Sequence, residues 1–154
     1  PSFTTKTSTL LFDDLMDEIT LYMDFSSLVL MERDRKSNQF VRELGSYQVN
    51  DGAEYITKMY YDGESVHLFF DTKKDVEDWE YTAIFHLFNE NVFTDKDYKI
   101  EIVDDEYNPT WHITFPYIEE INVMEEKLQE LCTLIKEEME RTFGEVQNKK
   151  NEYR

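Results

Sequence analysis

The chain has 154 residues, the length of one domain with one core, and a single cysteine, Cys132, so no intrachain disulfide can form. Its 34 Asp and Glu against 16 Lys and Arg leave a formal charge of -18, which repels phosphate polymers and anionic membranes and disfavours a conventional DNA or RNA binder. The 11 Phe and 10 Tyr supply the buried area that a core needs despite that charge.

Residues 1–9, PSFTTKTST, read as a polar lead-in, with Thr9 placed to cap a helix that starts at Leu10. Leu11, Leu15, Ile19 and Tyr22 recur at helical spacing, while Asp13, Asp14, Asp17 and Glu18 lie mostly off that stripe. From Ser27 the pattern turns to strand. SLVLMERD and QFVRELGSYQV flank an RKSN turn, and Gly45 marks a bulge or bend. NDGA at 50–53 is a loop by its residue types.

YITKMYYDGESVHLFFD predicts a hairpin with Asp62-Gly63 as the central pair of a type I′ turn. In that register Thr57, Met59 and Tyr61 share a face with Val66, Leu68 and Phe70, and Ile56, Tyr60 and Phe69 point the other way. KKDVEDWEYTAIFHLFNENVF predicts a helix capped by Asp75, with Val76, Trp79, Ala83, Leu87 and Phe88 along one stripe. DYKIEIVDDEYNPTWHITFPY alternates with period two as a second hairpin, and Pro116 disfavours a central place for the end of its last strand. INVMEEKLQELCTLIKEEMERTF is the longest helix, with Met124, Leu128, Leu131, Ile135, Met139 and Phe143 on its stripe, stopped at Gly144.

The order of helix, four strands, helix, two strands, helix predicts an α+β domain. About six antiparallel strands in two hairpin groups pack with a middle helix and a long C-terminal helix, plus the N-terminal amphipathic helix. The expected boundaries are an N-terminal extension at 1–22, one domain at 23–144 and a frayed tail at 145–154. The N-terminus has no signal-peptide pattern and no stretch has bilayer length, so the expected location is the cytoplasm.

No pattern of residues carries catalysis. The acidic loop DDEYNPT lacks the glycine and the closing glutamate of a calcium loop, and a solvated hairpin end is the simpler reading. His67, His86 and His112 fall on different elements without the short spacings of a zinc site, and read as ordinary surface positions. Cys132 borders an apolar stripe and reads as a packed thiol. Glycine-rich phosphate loops, nucleophile elbows and zincin motifs are missing. The expectation is therefore no enzyme, no metal and no cofactor.

MDFSSLVLMERD, ELGSY, DGAEY, YNPTW and ELCTLI resemble a small clostridial family of uncharacterised proteins, over Met23 to about Phe143. The resemblance brings no catalytic residues and implies that Met23 is the natural start. The element order, size and acidity also resemble the type III secretion chaperones, which bind an extended partner segment as dimers; an extra strand before the middle helix departs from them.

These readings point to a non-enzymatic, acidic protein–protein interaction domain, adaptor or chaperone-like, whose surface selects a basic protein partner and rejects nucleic acid and membrane. A homodimer fits the chaperone comparison. Tyr60 and Phe69, left over on the sheet, are the expected contact patch, with Glu130 and Glu137 of the last helix as acidic contacts. The alternative is a nucleic-acid mimic or toxin-neutralising protein in which the carboxylates themselves are the ligand.

Overall fold

The computed structural model describes residues 26–153, and the amphipathic stretch at 10–23 lies outside them. Six strands form one sheet: β1 (Ser26–Arg33), β2 (Phe40–Val49), β3 (Ile56–Tyr61), β4 (Ser65–Asp71), β5 (Lys99–Val103) and β6 (Thr110–Pro116). Among the described residues four α-helices accompany the sheet, α1 (Asp78–Leu87), α2 (Asn91–Thr94), α3 (Ile121–Asn148) and α4 (Lys150–Tyr153), with a short 3-10 turn at Ala53–Tyr55. This is the expected α+β architecture of a sheet with a middle helix and a long C-terminal helix.

The strands lie in the order β2-β1-β3-β4-β6-β5, and every neighbouring pair is antiparallel except β1 and β3. That parallel contact is short, Met31 opposite Tyr60 and Glu32 opposite Tyr61. It joins the two halves of the sheet. The connection into β3 crosses over at Gly52, which sits at φ 105°, where a Cβ would lie 2.1 Å from the Cys132 carbonyl oxygen. Only glycine satisfies both the backbone angle and the close approach to α3.

One face of the sheet is the core. Leu30, Tyr47, Val49, Val66, Leu68, Phe70, Trp111, Ile113 and Phe115 are buried beneath α1 and α3, which contribute Ala83, Ile84, Met124, Leu128, Leu131, Ile135 and Met139. Their alternation along the strands is the period-two pattern of a sheet covered on one side. The rings of Phe70, Phe88 and Trp111 meet at 4.2–5.9 Å between centroids and form the centre. α3 also guards an edge: Gln48 and Asn50 of the β2 region donate their backbone N–H groups to Glu125 and Gln129 side chains at 2.7 and 2.6 Å. Occupied this way, that end of the edge strand offers less to a passing chain.

Several local expectations shift. The β3–β4 turn centres on Gly63-Glu64, not Asp62-Gly63, and Gly63 alone takes positive φ, 98°. Asp62 is worth more at the corner, where its Oδ1 accepts the N–H groups of Glu64 and Ser65 at 2.9 and 2.8 Å. An irregularity between Ile56 and Lys58 moves Ile56 opposite Phe70 and onto the core face, leaving Thr57 exposed. In β2 the bulge falls beside Gly45: Leu30 pairs with Gly45 and Met31 with Glu43, so Leu44 is the extra residue.

The cap of α1 is Glu77, whose N–H donates to Glu80 at 2.9 Å, and Asp75 instead accepts from Asn108 at 3.3 Å. Pro116 ends β6 beyond the last residue that β5 pairs, Thr114, so its missing N–H costs that edge no ladder bond. Gly144 does not stop α3, which runs through it to Asn148; no neighbouring atom lies within 4 Å of a Cβ built there. The tail continues as α4, where Tyr153 packs on the core and its hydroxyl lies 3.3 Å from His86 Nδ1.

Candidate functional site

The opposite face of the sheet carries no helix among the described residues. The alternation that sends Val66, Leu68 and Phe70 into the core sends His67 and Phe69 outward, and Trp111, Ile113 and Phe115 do the same for His112 and Thr114. Tyr60 lies across from His67, and Lys58 across from Phe69. On the far side Glu101 is opposite His112 and Lys99 opposite Thr114. All four rings are half-buried.

These rings stand on the sheet in a packed row. Tyr60 stacks on His67 with centroids 4.9 Å apart, and Phe69 stacks on His112 at 4.2 Å with planes 9° apart. The two imidazoles meet between them at 4.9 Å. Cations cover the ends: the Arg33 guanidinium lies 4.2 Å from the Tyr60 centroid and the Lys58 ammonium 4.3 Å from that of Phe69. Each such contact adds about 0.5–1 kcal/mol at a partly exposed site. Arg33 Nε is buried without a hydrogen-bond acceptor among the described residues, and the rings of Tyr60 and Phe40 lie under its guanidinium.

Hydrogen bonds thread the row. Asp62 Oδ2 lies 2.7 Å from His67 Nε2, and His67 Nδ1 lies 2.7 Å from His112 Nε2. Thr114 Oγ1 is 3.4 Å from the same His112 nitrogen. Burial pushes the Asp62 carboxyl upward, but the Ser65 and Glu64 N–H groups and His67 outweigh it and hold the value down to about 2. His112 is lowered, first by its own burial and then by His67, with Glu101 pulling the other way.

Beside the row, Arg33, Arg35, Asn38, Tyr60, Asp62 and His67 line a depression of about 170 Å³. That is small against the several hundred Å³ of an ordinary small-molecule pocket. Arg35 closes one side by pairing with Glu64 and donating to the Asp62 carbonyl at 2.9 Å. Among the described residues no group of three or more His, Cys, Asp or Glu is arranged to hold a metal ion. The Cys132 thiol lies in the core, its value pushed up to about 12 by burial, and it touches none of this.

Of the residues expected to form a contact patch, the fold brings Tyr60 and Phe69 together, 6.3 Å apart between centroids. The two glutamates do not join them. Glu130, partly exposed on α3, accepts the hydroxyl of Tyr98, just before β5, at 2.7 Å, and Glu137 is exposed on α3. The histidine pair was not expected. Each histidine could be placed on the outward face from its apolar neighbours, but their meeting depends on β6 lying beside β4, which no local pattern states.

The family model matches residues 23–154. The chain belongs to DUF6762, a family of unknown function. The match begins at Met23, where the sequence resemblance begins, and extends past Phe143 to residue 154. No curated protein and no solved structure matches the chain. Among the described residues no helix is long and apolar enough to cross a membrane.

Proposed function

We propose that this member of DUF6762 is a non-enzymatic protein–protein interaction domain that docks an acidic segment of a protein partner on the open face of its sheet. The observation that carries the reading is the row of Tyr60, His67, His112 and Phe69, half-buried side chains on a face that nothing in the described chain covers. Aromatic rings fixed by their neighbours contribute contact area at low entropic cost, and such rings dominate interface energetics.

Charge supports the choice of occupant. The molecule is strongly acidic as a whole, which favours basic partners over most of its surface. At this face, which also carries Glu101, Arg33, Lys58 and Lys99 have no carboxylate within ion-pairing distance among the described residues, and two of them flank the rings. Carboxylates of a partner would pair with them while its apolar groups meet the ring edges.

Site-specific photo-crosslinking tests this. A photoreactive phenylalanine analogue at position 69 is expected to trap a partner in the native host, and the same group at exposed Glu137 is not. Trapping at 137 alone would overturn the reading.

A further inference from the structure

The contact between His67 and His112 sets a limit on the protons that this face can hold. Their facing nitrogens, 2.7 Å apart, have room for one hydrogen between them. With no extra proton, His67 donates from Nε2 to Asp62 and accepts at Nδ1 from His112. With one extra proton, His67 is an imidazolium that donates to Asp62 at one end and to His112 Nε2 at the other. The chain of bonds survives both states. A second extra proton leaves two N–H donors pointing at each other, and the bond cannot persist.

We propose that the His67–His112 pair is a proton-operated latch on the open face: closed with zero or one extra proton, opened by the second. Opening separates the two imidazoles, and because Tyr60 stacks on one and Phe69 on the other, the ring row parts with them. The consequence for partner docking, a face that changes shape in acid, rests on the reading given above; the latch itself does not.

The surrounding charges fix where the latch works. Asp62 from the β3–β4 turn accepts the His67 Nε2 proton in both closed states. Glu101 of β5 is opposite His112 and favours a proton there. Against the second proton stand the first imidazolium, Lys58 of β3 and Arg33 of β1, the last two lying over the rings that sandwich the pair. Lys99 of β5 faces Thr114 beside them. Arg35 and Glu64 pair with each other and largely cancel. The close like charge dominates, so the facing nitrogens take up protons in coupled steps and His112 is held below the ordinary histidine value.

The test is an NMR pH titration of the full chain without any partner, following the imidazole carbons and nitrogens and the ring protons of Tyr60 and Phe69. The expected result is proton uptake by the pair in two coupled steps, with His112 below the usual histidine value. Loss of the Tyr60 and Phe69 stacking shifts should accompany the lower step only. In His112→Gln a neutral amide replaces the second imidazole, so the two-step coupling should vanish and the Tyr60 shift, which comes from stacking on His67, should persist into acid. His67→Gln provides the same check from the other side should the first variant fold poorly. Two independent titrations near the ordinary value, or ring shifts that move identically in wild type and both variants, would overturn the latch. Neither outcome bears on whether a partner docks at Phe69, which the crosslinking decides.

Discussion

Asp62 accepts two backbone N–H groups at the β3–β4 corner and also binds His67, so one carboxylate sets both the turn and the start of the ring row. Its folded value, about 2, lies below the ordinary carboxylate value. The group therefore stabilises the fold above about pH 4, and that contribution is lost as the pH falls toward 2. His112, lowered by burial and by His67, binds a proton more readily unfolded than folded, so it erodes stability as the pH falls below the ordinary histidine value. Urea unfolding of wild type between pH 7 and pH 2 should show the second of these losses beginning near 6 and the first below 4. Asp62→Asn should start about 2 kcal/mol less stable at neutral pH and lack the drop below pH 4 that this carboxylate causes. Equal stability of the two proteins at pH 7 would remove Asp62 from this role.

At the scale of elements, Glu138 ties α3 to the end of α1. Its side chain is almost wholly buried, accepts the Asn89 N–H at 2.8 Å, and pairs with Arg141, which in turn donates to the Leu87 carbonyl. Glu138→Ala leaves a buried N–H without its acceptor and Arg141 without its counter-charge, so chemical denaturation should show a loss of about 3 kcal/mol. A loss under about 1 kcal/mol would mean that water replaces the carboxylate. Glu138 reads in the sequence as one more acid on an acidic helix, because its burial comes from α1 packing across it. The strands and the long helix were legible for the opposite reason. Val66, Leu68 and Phe70, and the stripe from Met124 to Met139, repeat at the period of their own element. Turns were legible only in part: Asp62-Gly63 marks the corner, but the side chain of Asp62 decides which pair sits at its centre. Gly144 reads as a helix end, yet Val146 beyond it still packs on the core and carries the helix onward.

The whole molecule divides into two layers of different character. Among the described residues, helices cover one face of the sheet and present acids such as Glu126 and Glu137 to solvent, while the other face carries no helix and gathers rings, imidazoles and cations beside Asp62 and Glu101. Which side chains point outward could be read from alternation within each strand. Which of them become neighbours could not, since the order β2-β1-β3-β4-β6-β5 rests on a crossover through Gly52 and on β6 inserting between β4 and β5. The most direct measurement pairs the thermal midpoint with partner capture for Tyr60→Ala and Phe69→Ala, set beside reversal of Glu126 and Glu137 to lysine. Truncating either ring should weaken capture by about tenfold or more while the protein still melts cooperatively, and the helix reversals should leave capture within about threefold. Capture that survives loss of the rings but disappears on reversing the helix charges would contradict the account and assign the function to the acidic surface.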